Sequence, residues 1–382
     1  MSQKKNSKKG VLLPPAVGYS FHIVLKLISD NKINFKYYLR TIIILIVNLI
    51  NFPFRTYERL FINPRFKNIN IEKDPIFILG HWRSGTTHLH NVLSQDSQMA
   101  YTTTYQSVFP DTLFNKLGRL LFKGFATLLI PGKRAGDNVT LGSSLPQEEE
   151  FALGDKTPIS FYYFWMFPTK IPEYYQRFIR FSGIKEKQLD KWKNEYKLLI
   201  KKAIKNTNKE RFLSKNPPNT GRVKELLQMF PNARFIHIHR NPVEVFLSTQ
   251  NFFNKMMPHL QLQNISKEVV DNHIVQVYKD LMSDYLEQRD LIPKNHLVEI
   301  KFDEFEINPI DEVKRIYSDL GINGYQEALP NIEAYLSSMK SYKKNTHTIK
   351  ESQMNVLKNE WRFSMEEWNY VIPNNISIVK DE

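Results

Sequence analysis

The 382-residue chain contains no cysteine. Disulfides, zinc–thiolate centres and cysteine nucleophiles are thereby excluded, and a reducing compartment is compatible. Acid is also in short supply: 53 lysines and arginines stand against 39 aspartates and glutamates, a net charge of +14. Such a surplus suits a polyanionic small molecule, nucleic acid or an anionic membrane surface, and does not choose among them. No secretory signal is expected, because the basic tail over residues 1–10 is not closely followed by an apolar core and a small-residue cleavage site. Residues 21–60 read as helical, but the apolar run over residues 42–50 is interrupted by Asn48 and ended by Asn51 and Pro53. It falls short of the ~18–20 apolar residues of a spanning helix. Two readings stay open for it: a helix packed on the domain, or one lying at the membrane interface through residues 36–55, flanked by Lys36, Arg40 and Arg55.

A further absence lies in the most informative stretch, residues 75–93. The apolar run over residues 76–79, bounded by Pro75 and Gly80, predicts a buried strand. Leu89, Val92 and Leu93 then recur at helical spacing. A loop leading from a strand into a helix aims unpaired N–H groups and the positive end of the helix dipole at one spot, which suits an anion. Gly80 and Gly85 have the spacing of a P-loop, but Thr86 stands where a nucleotide triphosphatase has lysine, and Thr87 takes the Ser/Thr place. The cation comes earlier, at Arg83. Without the lysine this loop is poorly equipped for γ-phosphoryl transfer and better suited to a shorter anionic tail.

Three more segments carry chemistry-bearing residues. Residues 141–153 pack Glu148, Glu149 and Glu150 behind Pro146 and ahead of an apolar run, a helix start whose acids can face a pocket; Glu149 is expected to turn away. Residues 212–222 read as a strand ending in Lys215 and a Pro-Pro turn. Residues 233–239 form a strand that delivers Arg240 into a loop and helix carrying Ser248. Ligands of open parallel sheets bind beyond the carboxyl ends of strands, so Arg83, Lys215 and Arg240 are expected to converge. Arg240 with Ser248 makes a second anion site. A strand is expected at residues 297–301, an extended stretch at 99–109 and an apolar segment at 113–130. The helix near residues 189–204 should present its lysines outward. The aromatic run over residues 158–168 fits core packing or the wall of an acceptor pocket.

Four blocks in this order resemble the bacterial-type sulfotransferase family, from about residue 75 to residue 370. They are the loop Arg83-Ser84-Gly85-Thr86-Thr87, the acidic block over residues 144–153, Lys215-x-Pro-Pro-x-Thr220, and residues 230–242 with Ser248 downstream. The resemblance implies an α/β fold, a P-loop-like parallel sheet flanked by helices, with residues 71–382 as the sulfotransferase domain and residues 1–70 as a basic tail and added N-terminal helical segment. It implies 3′-phosphoadenosine 5′-phosphosulfate (PAPS) as donor, held by His81, Trp82, Arg83, Ser84, Gly85, Thr86 and Thr87 at the 5′ end and by Arg240 and Ser248 at the 3′-phosphate. The sulfuryl group passes in line to an acceptor hydroxyl or amine. Lys215 assists at sulfur, and Glu148, with Glu150 second, takes the proton; His81 is the remaining candidate base. The chain departs from the family at Asn216, Asn219 and Gln106.

No cluster with metal-ligand spacing is read, and no metal is expected. A small-molecule, lipid or carbohydrate acceptor is expected, and a cytoplasmic setting, with contact at the inner face of the membrane if the second reading of residues 36–55 holds. A P-loop kinase or hydrolase would need an acid at a strand end for Mg²⁺. A nucleic-acid-binding protein would need a reading motif, and none is found.

Overall fold

The computed structural model describes residues 15–129, 142–339 and 347–381; the basic tail over residues 1–10 lies outside them, as do Ile130 and Leu141. The chain opens with α1 (Phe21–Asp30) and α2 (Tyr38–Tyr57), the latter running on through a π-turn, Glu58–Ile62, and a 3-10 turn, Asn63–Phe66. Next come β1 (Lys73–Leu79), α3 (Thr86–Leu93), β2 (Met99–Ala100), α4 (Thr104–Val108), α5 (Lys116–Leu129) and α6 (Glu149–Lys156). Helices α7 (Ile171–Phe178) and α8 (Glu186–Thr207) precede β3 (Arg211–Lys215), α9 (Val223–Met229) and β4 (Arg234–His239). After α10 (Pro242–Leu260) and α11 (Lys267–Gln288) follow β5 (Leu297–Lys301), α12 (Phe302–Ile307), α13 (Pro309–Asp319) and α14 (Tyr325–Ser338). A short parallel pair, β6 (His347–Lys350) with β7 (Ile376–Val379), lies near the C-terminus. The chain divides into two compact units: residues 1–70, 101–207 and 252–266 form one, and residues 71–100, 208–251 and 267–382 the other.

The second unit is built on a five-stranded parallel sheet, order β2-β3-β1-β4-β5. Its central strands are buried on both faces, so they read as continuous apolar runs rather than alternating ones. Ile76, Ile78, Ile236, Ile238 and Leu213 face one way and pack with Leu89 and Val92 of α3 and with Phe305, Val313 and Ile316. Phe77 faces the other way, stacked on Phe235 at 5.7 Å.

The first unit is helical and holds an ionic network in its interior. Lys202 is fully buried on α8, 2.8 Å from Glu58 and 3.3 Å from Asp111. Lys156 reaches Asp111 at 2.8 Å and Glu195 at 2.8 Å, and Arg59 reaches Asp111 at 2.5 Å. Burial would raise the Asp111 carboxyl, but Lys156, Arg59 and Lys202 outweigh it and hold the group well below the usual carboxylate range. The expectation that the α8 lysines all face outward therefore fails at Lys202. That lysine lies three residues beyond Leu199, one turn along the inward face.

Two other expectations change. Arg55, a flanking cation on the membrane-interface reading, is buried and bonded to Asp155 at 2.6 Å, because the acid of α6 gives it a partner inside. The stretch over residues 99–109 is extended at β2 and as far as Thr103, which bridges to Pro146. Thr103 caps α4 by accepting the Gln106 N–H at 3.2 Å, which turns the chain into a helix. The aromatic run over residues 161–167 is core, buried throughout. Among the described residues one helical stretch, Phe35–Phe66, is long and apolar enough to cross a membrane, although 33% of its most apolar window is buried in the protein.

Candidate active site

The anion loop lies between β1 and α3, at the centre of the sheet. Gly80 has φ +140°, and a Cβ there would fall 2.4 Å from the Ile238 carbonyl oxygen, so only glycine lets the end of β1 lie this close to β4. Its N–H donates to Thr220 Oγ1 at 2.8 Å. The Ser84 hydroxyl donates to the His81 carbonyl at 2.7 Å, with that of Ile238 also in reach at 3.0 Å. Arg83 and Gly85 both take left-handed conformations, φ +70° and +97°. At Gly85 a Cβ would meet the Phe302 ring at 2.1 Å. This backbone brings the chain into α3 with Thr86 buried and Thr87 half-buried at its first turn. The first N–H groups of a helix have no intrahelical acceptor, so this turn is disposed to hold an anion.

The neighbouring strands bring the other cations to the same edge. Lys215, the last residue of β3, pairs in register with Ile78, and His237 of β4 pairs with Leu79. Arg83 Nε donates to Ser248 Oγ at 3.0 Å, joining the loop to α10. Arg240 Nε donates to Glu244 Oε2 at 2.8 Å, and its guanidinium lies 4.7 Å over the Phe302 ring. Phe302, which no sequence motif singled out, thus touches the space beside Gly85 on one side and supports Arg240 on the other. Its place just after the end of β5 was the available signal, since strand ends line the site in such sheets. Asn241 was also missed: it accepts the Val243 N–H at 3.1 Å at the start of α10 and donates to the Val371 carbonyl at 2.7 Å. The two departures in the lysine block form a pair, with Asn216 Nδ2 donating to Asn219 Oδ1 at 3.2 Å.

The histidines near the loop are held neutral. Burial lowers His81 to about 4 against a smaller opposing hydrogen bond to the Trp82 carbonyl. Burial, then the charge of Lys215, lowers His90 to about 3. His239 also falls to about 3, through burial and then His237; its ring stacks on Trp368 at 4.8 Å, and its Nδ1 bonds the Tyr370 hydroxyl at 2.9 Å.

The acidic block belongs to the other unit. Glu148 is the N-cap residue of α6, and its Oε2 accepts a short hydrogen bond from the Tyr162 hydroxyl. Glu150 is buried, and its carboxylate accepts the Phe161 N–H at 2.7 Å. Glu149, expected to turn away on the helix start, is only 1% exposed, because most of α6 is enclosed. Gln106 is buried and donates to the Leu199 carbonyl at 3.1 Å.

A central strand feeding a two-glycine loop into a helix, with Arg83, Lys215 and Arg240 on strand-end segments of one sheet, is an arrangement suited to an anionic ligand. Strands β3, β4 and β5 end in Lys215, His239 and Lys301, so their last residues are not the acid that a Mg²⁺-dependent kinase places at a strand end. The chain belongs to the sulfotransferase family, whose pattern it matches over residues 75–327. It is an enzyme that transfers sulfuryl groups.

Over 359 residues it is 27% identical to the omega-hydroxy-beta-dihydromenaquinone-9 sulfotransferase Stf3 of Mycobacterium bovis, covering 94% of this chain and 91% of that one; the Mycobacterium tuberculosis protein of the same name matches equally. Two solved structures share the fold. Sulfotransferase STF9 of Mycobacterium avium aligns with a TM-score of 0.64 at 15% identity, covering 93% of this chain and 98% of that one. STF1 of Mycobacterium tuberculosis aligns with a TM-score of 0.61 at 15% identity, covering 82% and 85%.

Proposed function

We propose that this sulfotransferase takes its sulfuryl group from PAPS and passes it to a hydroxyl carried on a long apolar acceptor. The observation that carries the donor assignment is the 3.0 Å bond between Arg83 and Ser248. It joins, within one unit, the loop suited to a 5′-phosphosulfate and the element suited to a 3′-phosphate. The loop amides, Arg83, Ser84, Thr86 and Thr87 hold the 5′ end, with His81 and Trp82 shaping the loop, and Arg240 with Ser248 holds the remote phosphate. Lys215 stabilises charge on the sulfuryl oxygens. The acceptor oxygen attacks sulfur in line, the new O–S bond forms as the bond to the 5′-phosphate oxygen breaks, and Glu148 receives the hydroxyl proton, with Glu150 as second candidate.

For the acceptor, the support is the mycobacterial relative, named for a hydroxylated menaquinone and similar along nearly the whole chain. The absence of cysteine is compatible with a reducing, cytoplasmic setting.

Titration calorimetry tests the donor. Adenosine 3′,5′-bisphosphate should bind about tenfold or more tighter than ATP, the worth of one charge-assisted hydrogen bond gained at the second anion site. ATP binding as tightly or more tightly would overturn the assignment.

A further inference from the structure

We infer that α2 and α5 present a face that lies on the surface of an anionic lipid bilayer. Helix α2 exposes its more apolar face, for its buried side carries Ile44 and Val47 but is otherwise polar. Thr41, Asn48, Asn51 and Arg55 point into the protein and are buried, whereas Leu39, Ile42, Ile46, Leu49, Ile50 and Phe52 are exposed, Leu39 to 71%. In water the hydrophobic effect favours the reverse arrangement, and a contiguous apolar stripe of this length marks a surface that meets something other than water.

The helix cannot roll over to hide that stripe. Arg55 is held by Asp155 at 2.6 Å, and Glu58, one turn on, by Lys202 at 2.8 Å. Glu58 also accepts the N–H groups of Leu113, Phe114 and Asn115 at 3.2, 2.9 and 2.8 Å, which fixes the approach to α5. Helix α5 packs on α2 where Gly118 allows close approach to Phe54, and it adds exposed Leu117, Leu120 and Leu121. A lone spanning helix would meet lipid all round, whereas this one is fastened along one side to a polar interior, which favours lying on the surface.

The charges name the occupant. Glu58 is the sole acid in residues 35–71 and it is buried; residues 112–124 contain none. Lys36, Arg65, Lys67, Lys116 and Lys123 are exposed at the ends and edges of these elements. An apolar face with a basic surround and no exposed acid complements anionic headgroups. Two copies of the chain meeting through it would bring like charges together without an acid to pair them.

Flotation of the full chain with phosphatidylcholine vesicles, with and without phosphatidylglycerol, tests the proposal independently of any donor or acceptor. The protein should float with the anionic vesicles, less with the neutral ones, and added salt should weaken the association. Ile46→Glu and Leu120→Glu, both at exposed positions, should each reduce partitioning about tenfold with the melting temperature unchanged. Were either variant to misfold, the lipid and salt dependence of the wild type decides alone. Wild type that stays in the aqueous fraction with both vesicles, or variants that float as well as wild type, would overturn the inference. So would a wild-type dimer, seen by light scattering, that these substitutions dissociate without any lipid binding.

Discussion

Arg83 Nε donates to Ser248 Oγ at 3.0 Å, from a residue held at φ +70° in the loop to the second turn of α10. On the proposed reading both groups are wanted by the donor, so binding must share this bond or exchange it for contacts to phosphate oxygens. The Ser248→Ala substitution should therefore weaken adenosine 3′,5′-bisphosphate by about 0.5–1.5 kcal/mol, the net worth of one hydrogen bond. Adenosine 5′-monophosphate should be affected less, since it lacks the phosphate that Ser248 serves. Equal losses for both nucleotides in calorimetry would place Ser248 outside the phosphate site.

Arg240 carries a second prediction, and the structure qualifies it. Arg240→Ala should cost donor binding about 2–4 kcal/mol, the range for a desolvated charge pair, while leaving turnover at saturation largely intact because the contact is remote from sulfur. Part of that loss belongs to Glu244, whose carboxylate accepts from Arg240 Nε at 2.8 Å and would otherwise face the phosphate uncompensated. The double substitution Arg240→Ala with Glu244→Gln should therefore bind donor better than Arg240→Ala alone. If the double variant binds worse, Glu244 is not acting through its charge.

The neutral histidines predict acid sensitivity. His81, His90 and His239 are lowered to about 4, 3 and 3 from an ordinary 6.5. Below pH 6.5 the unfolded chain binds protons at these three positions and the folded chain does not. The stability they contribute is whole above 6.5 and is lost progressively as pH falls toward the folded values. The slope approaches about 1.4 kcal/mol per pH unit for each histidine. Chemical denaturation between pH 7 and 5 should show this decline, opposed in part by Asp155, whose carboxyl burial raises to about 7 so that the folded chain takes up a proton there. His239→Phe, which keeps an aromatic ring against Trp368, should flatten it by about one proton. An unchanged slope would mean that His239 titrates alike in the folded and unfolded chain.

How far the fold could be read depended on whether the signal was local. The strands at Ile76, Leu213, Ile236 and Val298 were legible because apolar β-branched runs bounded by glycine, proline or charged residues have few alternatives, and Arg83, Lys215 and Arg240 followed from being near strand ends. Phe302 was legible only as a residue following a strand; its contact with the loop exists because the fold sets its ring 2.1 Å from where a Cβ on Gly85 would fall. The inward turn of Arg55 and Lys202 was equally hidden. A buried cation is explained by partners distant in sequence, here Asp155 for the one and Glu58 and Asp111 for the other, and no periodicity announces them. The burial of Glu149 was hidden for a related reason: three adjacent acids look solvated until the rest of the protein is known to enclose α6.

The proton acceptor is the last prediction. Glu148 sits at the N-cap of α6 with its Oε2 bonded to the Tyr162 hydroxyl, so one oxygen is oriented by a buried phenol. If it takes the acceptor proton, Glu148→Gln should retain bisphosphate affinity and lower turnover by roughly 10²–10⁴, the contribution of a positioned base. Tyr162→Phe should give a smaller fall, because the carboxylate stays but loses its orienting partner. Glu150 differs from Glu148 in already holding the backbone, since it accepts the Phe161 N–H at 2.7 Å, which an amide oxygen can also do. Glu150→Gln should therefore turn over near the wild-type rate, while Glu150→Ala should unfold more easily by about 1–3 kcal/mol, the cost of stranding a buried donor. Single-turnover assays, in which chemistry limits, distinguish these cases. If Glu148→Gln matches wild type there, the acid is a structural partner of Tyr162 and nothing more. Should Glu150→Gln then be the variant that falls, Glu150 is the base; should neither fall, His81, neutral at pH 7 and inside the loop, is the residue to substitute next.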